Sequence, residues 1–184
     1  MPAQFIDYVL DIKRQNILHY GPGHPPPTKF IFEEKFGDVF NCHPYWSMCH
    51  CVSRDLAMGA GVAVEFRKHF GQLPELRRQN AQVGDIAVIR ATVKPYGWVY
   101  YLVTKDAYFD KPTLLTLRRS LEKMRDRLVE HGVSGLAMPR IGCGLDKLKW
   151  DAVKQILTDV FQKFLFTSLC ITNPMFLIII FRLL

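Results

Sequence analysis

The chain alternates short apolar runs, rich in β-branched and aromatic residues, with longer segments of helical periodicity. Five runs predict strands: KFIFEEKF (29–36), SMCHCVS (47–53), IAVIR (86–90), WVYYLVT (98–104) and GLAMPRI (135–141). Three segments predict helices: AVEFRKHFG (63–71), PTLLTLRRSLEKMRDRLVEHG (112–132) and residues 150–164. This alternation predicts a layered α/β domain that binds ligands at the carboxyl ends of its strands.

The two ends of the chain depart from this pattern. Residues 1–28 contain the helix-breaking run GPGHPPPT and are predicted to form an N-terminal extension to a domain at 29–163. Residues 164–184 form an atypical apolar C-terminal tail with a single charge, Arg182, and about the length of a membrane span. Three interpretations of the tail stay open: a membrane anchor, a final buried strand, and a translated non-coding end.

Composition narrows the class of protein. Hydrophobic residues make up 49% of the 184 residues, which excludes wholesale disorder, and the formal charge of +7 favours an anionic partner such as a phosphate or a membrane surface. The five cysteines are odd in number and irregularly spaced, so a secreted disulfide framework is a poor interpretation and a cytosolic or nuclear setting is expected. The N-terminus lacks the features of an export signal or a transit peptide.

Two strand-to-helix turns are rich in glycine. One is MGAGVAVEF, around Gly59 and Gly61, and the other is PRIGCGLDKLKW, around Gly142 and Gly144. Glycine lets the backbone approach a phosphate closely, and free amides at the start of a helix favour anions. Each turn alone is more typical of a plain tight turn, since neither completes a nucleotide-binding fingerprint. Together they indicate a pyrophosphate held between them.

The cluster Cys42-His43 with Cys49-His50-Cys51 is a candidate metal site. In a strand, however, Cys49 and Cys51 face one side and His50 the other, so the three side chains cannot converge on one ion. Buried structural residues are the favoured interpretation. The chain contains no His-Glu-x-x-His, paired CxxC or GxSxG motif.

Three further residues have two interpretations each. Cys143 in the second glycine turn is a nucleophile or a small residue that packs a tight turn. Lys105 follows the strand WVYYLVT and is a functional amine or a solvated surface charge, and Asp146 is a functional acid or a helix cap. Spacing alone leaves these alternatives open.

The amino-acid sequences of three segments resemble those of a known protein family. The segments FGDVFNCHPYWSMCHCVSRDLAMGAGVAVEFRKHFG, WVYYLVTKDAYFDKPT and LAMPRIGCGLDKLKW occur in this order between about residues 30 and 163. They closely resemble the terminal ADP-ribose protein glycohydrolase branch of the macrodomains. The resemblance implies a three-layer α/β macrodomain with a mixed central sheet flanked by helices. One departure is that the family's short final strand, which closes the adenosine side of the pocket, is replaced here by the apolar tail.

The resemblance also implies a set of site residues. Lys105 would be the catalytic nucleophile and Asp146 its acid/base partner. Asp38 would recognise the adenine amine beside the Val39 backbone, and the two glycine turns would enclose the pyrophosphate and the distal ribose. The complete implied set for ligand binding is Asp38, Val39, Ser53, Gly59, Gly61, Thr104, Arg140, Ile141, Gly142, Cys143, Gly144 and Leu145.

The activity that the resemblance implies is hydrolysis of the ester between ADP-ribose and an acidic side chain. Ester migration opens the distal ribose to an aldehyde, which a neutral amine attacks to form a Schiff-base-type adduct as the carboxylate departs. No metal or organic cofactor is implied. A monomer is expected, with ADP-ribose and mono- or poly-ADP-ribosylated proteins as its partners. ADP-ribosylated nucleic acid, O-acetyl-ADP-ribose and a membrane contact are open questions. The alternatives are a non-catalytic ADP-ribose reader and a membrane-attached interaction module with a compromised pocket.

Overall fold

A computed structural model describes residues 34–42, 46–92, 97–131, 133, 135–162, 166–172 and 177–183. The predicted N-terminal extension therefore lies outside the described residues. The same holds for most of the strand predicted at 29–36, of which β1, Lys35–Phe36, is described.

The central sheet has four strands in the order β3-β4-β2-β5. Their bounds are β2 Ser47–Ser53, β3 Ile86–Arg90, β4 Trp98–Lys105 and β5 Leu136–Ala137. Strand β2 is parallel to both β4 and β5, whereas β3 is antiparallel to β4, so the sheet is mixed as the resemblance implied. The strand predicted at 135–141 is much shorter than expected, because the chain leaves the sheet before Pro139, which has no amide hydrogen to donate.

Four α-helices are described: α1 Val62–Phe70, α2 Leu73–Arg78, α3 Leu114–Glu130 and α4 Trp150–Phe161. Helix α3 begins with a capping box in which the side chains of Thr113 and Thr116 accept each other's backbone amides. Helix α1 ends at Gly71, whose φ of 57° suits a residue without a side chain. The sequence pattern missed α2, because six residues with one buried side chain, Leu76, carry too little periodicity.

The side chains of β4 alternate between two hydrophobic cores. Tyr100 and Leu102 pack with α3 and α4 on one face, and Tyr101 and Val103 pack with α1 and α2 on the other. Each fully buried large apolar side chain contributes roughly 1.5–3 kcal/mol, so both helical layers are held on the sheet mainly by this burial. The predicted three-layer α/β arrangement is confirmed.

The apolar tail contains two strands, β6 Phe166–Thr172 and β7 Leu177–Leu183, that pair as an antiparallel hairpin. Strand β7 also pairs with β1, which forms a second sheet in the order β1-β7-β6. The backbone of β7 lies beside β5, with Cα atoms within 8 Å. Among the described residues, no helix is long and apolar enough to cross a membrane.

The register of β2 and β4 brings the ends of these two strands together. Their pairing is regular from Met48 to Val52 and then shifts, so that Ser53 lies opposite Lys105. Because the strands are parallel, both carboxyl ends open onto the same edge of the sheet, where the chain turns into α1 and α3.

Candidate functional site

A cavity of about 830 Å³ lies at the carboxyl ends of β2 and β4. This volume is within the range of roughly 300–1,000 Å³ that is usual for sites of small ligands and cofactors. Its walls come from the end of β2, the loop before α1, the end of β4 with the residue Tyr108 beyond it, and the turn after β5. The lining includes these residues implied by the resemblance: Ser53, Gly59, Gly61, Lys105, Arg140, Ile141, Gly142, Cys143, Gly144, Leu145 and Asp146.

Three residues implied by the resemblance lie outside this wall. Asp38 is exposed and caps a short 3-10 helix, Val39–Asn41, by accepting the Phe40 amide at 3.0 Å. Val39 is fully buried in the core beneath α1, and Thr104 is buried within β4. The roles that the resemblance implies for these three residues stay predictions.

Lys105 and Asp146 meet in the wall of the cavity. Lys105 is the last residue of β4, and Asp146 belongs to the turn between β5 and α4. The Lys105 Nζ donates to Asp146 Oδ1 at 2.7 Å, and the two side chains are only 12% and 13% exposed. The site thus pairs a potential nucleophile with a group that can exchange its proton.

The turn that carries Asp146 depends on Gly142. Gly142 has a φ of 71°, and a Cβ at this position would lie 2.8 Å from Leu148 Cδ1. The Leu148 amide donates to the Gly142 carbonyl at 2.8 Å and closes the turn. A side chain at position 142 would therefore strain the backbone and displace Leu148, and through this turn it would move Asp146.

The loop between β2 and α1 holds unusual backbone conformations. Leu56 and Met58 have positive φ values of 51° and 42°, although both side chains are buried in the core. Left-handed geometry at such residues costs on the order of 1–3 kcal/mol each, a cost that recurs at ligand sites. The loop ends at Gly61, with a φ of 62°, which begins α1 without a side-chain cap. The first amides of α1 are therefore open to an anion from the cavity.

Gly59 and Gly144 differ from the other two glycines of the turns. Neither has a positive φ, and a Cβ added at either position would meet no atom within 4 Å. The fold itself therefore does not require glycine at either position. Their effect is to leave space in the cavity wall, close to the backbone, for a ligand.

The two glycine turns approach each other at Leu145. A Cβ at Gly61 would lie 3.5 Å from Leu145 Cδ1, and the Leu145 carbonyl accepts a hydrogen bond from Lys111 Nζ at 2.8 Å. The structure thus brings both turns to one cavity, with the first turn of α1 facing the turn of Asp146.

Sequence reasoning missed Asp55, which ties three parts of the wall together. Its Oδ1 accepts the Ser53 hydroxyl and the Ala57 amide, and its Oδ2 accepts the Tyr108 amide at 3.0 Å. Partial burial works against ionisation, but these three hydrogen bonds outweigh it and hold the pKa of Asp55 below its usual value. The bond to Ala57, two residues on, is a local signal that the sequence carries. The bond to Tyr108 spans 53 residues and leaves no local signal.

Two cysteines line the cavity, Cys51 and Cys143. Burial raises the pKa of the Cys143 thiol to about 11, and burial together with the charge of Asp146 raises the pKa of Cys51 further. Both thiols are therefore protonated near neutral pH and are poor nucleophiles. The Cys143 thiol donates to the Ile141 carbonyl at 3.4 Å, which favours its interpretation as a small packing residue in a tight turn.

The side chains of Cys49, His50 and Cys51 lie on two faces of β2, as the alternation of side chains along a strand predicts. Cys49 and Cys51 pack on the side of α3 and α4, whereas the His50 ring stacks on Phe66 of α1 with centroids 4.0 Å apart. In the part of the chain that the structure describes, no group of three or more His, Cys, Asp or Glu side chains could hold a metal ion.

Comparison with known proteins agrees with this fold. The model of the Macro domain family matches residues 49–157, and the chain belongs to this family. It is 45% identical to ADP-ribose glycohydrolase OARD1 of Bos taurus over 126 residues, which are 68% of this chain and 81% of that protein. The Homo sapiens protein of the same name is 44% identical over the same shares. The macrodomain of Mycobacterium tuberculosis DarG has a TM-score of 0.63 at 20% identity, covering 70% of this chain and 90% of its own, and shows likeness of fold.

Proposed function

We propose that this macrodomain binds ADP-ribose in the cavity and hydrolyses the ester between ADP-ribose and acidic side chains of modified proteins. The observation that carries the proposal is the contact of 2.7 Å between Lys105 Nζ and Asp146 Oδ1 in the cavity wall. Two proteins with 44–45% identity to this chain are named ADP-ribose glycohydrolase, which supports the class of reaction.

The shape of the cavity supports a pyrophosphate ligand. The uncapped start of α1 at Gly61 offers backbone amides and the positive end of the helix dipole. Gly59 and Gly144 leave space on the two sides of the ligand, so that the backbone of both turns can approach its phosphates. The distal ribose would then lie next to Lys105, where β4 ends.

Lys105 would act as the nucleophile. Its neutral amine forms a bond to the anomeric carbon of the distal ribose, and the carboxylate of the modified protein departs with the electron pair of the broken bond. Asp146, which Lys105 protonates when the ligand binds, gives its proton to the departing carboxylate and then takes a proton from the attacking nitrogen. Asp146 next returns this proton to the lysine nitrogen, water adds to the same carbon as the carbon–nitrogen bond breaks, and the water gives a proton to Asp146, so the lysine leaves as a neutral amine. The open-chain form of the covalent adduct is a Schiff base.

This mechanism requires a proton to leave Lys105 before the attack. Attack needs the free amine, whereas a carboxylate at 2.7 Å stabilises the ammonium. A bound ligand would displace water from the pair, and in a drier site a proton can move along the hydrogen bond to Asp146. This transfer leaves two neutral groups and exposes the lone pair of Lys105.

Lys105→Arg tests the proposal. Guanidinium keeps the charge but is essentially never deprotonated in a protein, so release of ADP-ribose from a glutamate-modified protein should fall by several orders of magnitude. Calorimetry should show little change in affinity for ADP-ribose. The matched control is Lys111→Arg, since Lys111 contacts the Leu145 carbonyl at the same cavity.

Two results would contradict the proposal. Turnover of Lys105→Arg at the native rate would remove the lysine mechanism. Native protein that binds ADP-ribose but releases none would be a reader. Borohydride added during turnover should trap an adduct on the native protein and none on Lys105→Arg.

A further inference from the structure

The mouth of the cavity carries two large aromatic side chains that face solvent. Tyr108 and Phe109 are 66% and 70% exposed, and their rings meet edge to face with centroids 5.2 Å apart. Tyr108 also lines the cavity. Adjacent exposed aromatic rings at the edge of a binding cavity are typical of a contact surface for a partner.

Hydrogen bonds hold the backbone of the turn that carries these rings. The Tyr108 amide donates to Asp55 Oδ2 at 3.0 Å, which ties the turn to the end of β2. Across the turn, the Ala107 amide donates to Asp110 Oδ2 at 2.9 Å, and the Asp110 amide donates to the Ala107 carbonyl at 3.0 Å. A partner would therefore meet a surface that is already ordered, at a low cost in conformational entropy.

The position of the rings indicates which part of the substrate they would contact. Tyr108 follows Lys105 by three residues and lines the same cavity, and Phe109 is the next residue in the chain, so the pair borders the side of the cavity at which β4 ends. The ADP-ribose part would lie inward, towards the glycine turns. The polypeptide that carries the ester must remain outside the cavity, and its nearest residues would pass over this part of the mouth.

We propose that Tyr108 and Phe109 form a docking surface for the polypeptide next to the modified carboxylate, through an apolar side chain of that polypeptide. This inference rests on the proposed function. It adds a recognition element for the protein part of the substrate.

The arrangement favours a polypeptide over a nucleic acid. The interplanar angle of 82° places the edge of one ring against the face of the other, so the pair forms an apolar corner and no parallel platform for bases.

The test compares two substrates that share the same ester. One is a glutamate-ADP-ribosylated protein, and the other is ADP-ribose esterified to a single capped glutamate. The variant Phe109→Ala, whose side chain is not part of the cavity lining, should raise KM for the protein by roughly tenfold or more. It should leave kcat, the KM for the capped glutamate ester and the affinity for free ADP-ribose within about twofold of native.

Control variants separate docking from loss of structure. Val129→Ala removes another exposed apolar side chain, 49% exposed near the far end of α3, and should keep native kinetics on both substrates. The exchange of Tyr108→Phe with Phe109→Tyr keeps the apolar corner and should also retain the native KM for the protein.

Each result decides the inference. If the native protein cleaves neither ester, the proposed function and this inference both fail. If it cleaves both and Phe109→Ala has a native KM for the protein, the docking surface alone is overturned. An equal rise in KM for both esters would mean that the rings act within the ADP-ribose cavity. A larger rise in KM for ADP-ribosylated single-stranded DNA than for protein would mean that the rings contact nucleic acid. Both results would overturn the inference.

Discussion

Lys105 and Asp146 are separated by 41 residues in the chain and joined by a hydrogen bond of 2.7 Å in the fold. Each is nearly buried, and each is positioned by a different element: β4 ends at Lys105, and the turn closed by Gly142 and Leu148 carries Asp146. A buried ion pair is weak support for stability, because desolvation offsets much of its attraction. Its position in a ligand-sized cavity favours a chemical role.

Asp146→Asn tests that role. Asparagine keeps the shape and can accept the hydrogen bond of Lys105, but it cannot take up a proton. Release of ADP-ribose from a modified protein should fall by roughly 10²–10⁴-fold, with little change in affinity for ADP-ribose. Asp106→Asn is the matched control, since Asp106 is exposed and pairs with Arg54. Turnover of Asp146→Asn close to that of the control would exclude Asp146 from proton transfer.

The glycines of the two turns should separate into two groups. Gly59→Ala and Gly144→Ala meet no neighbouring atom, so the free energy of unfolding should stay equal or rise by up to about 1 kcal/mol, while affinity for ADP-ribose falls. Gly142→Ala forces a side chain into positive φ and against Leu148, and it should lose on the order of 1–3 kcal/mol of stability. Urea denaturation and calorimetry measure the two effects. Native affinity in both Gly59→Ala and Gly144→Ala would show that no ligand approaches these positions.

The role of Asp38 can be separated from its capping function. If it recognises adenine, Asp38→Ala should weaken binding of ADP-ribose by roughly 1–3 kcal/mol and leave binding of ribose 5-phosphate unchanged. Loss of the cap to Phe40 should cost no more than about 1 kcal/mol of stability. Calorimetry with both ligands makes the comparison. Equal losses of affinity for ADP-ribose and for ribose 5-phosphate would mean that Asp38 acts through the structure of the loop.

His50 should make the stability of the protein depend on pH. Its burial against Phe66 lowers the pKa of the imidazole from the usual 6.5 to about 3. Between these values the unfolded chain binds a proton that the folded protein excludes. The free energy of unfolding should therefore fall by about 1 kcal/mol for each pH unit below 6.5, until the folded form also titrates near pH 3.

The variant His50→Leu isolates this contribution. Urea denaturation of native protein and variant at pH 7, 6 and 5 should show a steeper loss of stability in the native protein. Parallel pH dependences of the two proteins would indicate that His50 becomes protonated within the fold.

Several features of this protein follow from its sequence alone. The strands and long helices are predicted because the apolar residues of each repeat at the spacing of one secondary structure, a property of neighbouring residues. The layered α/β class follows from the order of these elements. The glycine turns and Lys105 were candidates because each follows a predicted strand, and Asp146 was a candidate because it follows the second glycine turn. The resemblance that singled them out also lies in continuous segments of sequence.

Other features were decided only by the tertiary structure. The parallel register of β2 and β4 places Ser53 opposite Lys105, and only packing of the turn after β5 brings Asp146 within 2.7 Å of that lysine. The bond from Tyr108 to Asp55 and the pairing of β7 with β1 are likewise contacts between distant segments. Such contacts depend on the relative placement of whole elements, which burial of apolar surface and backbone hydrogen bonding determine together. A local pattern does not contain that information, so the sequence could nominate the residues of the site but could not assemble them.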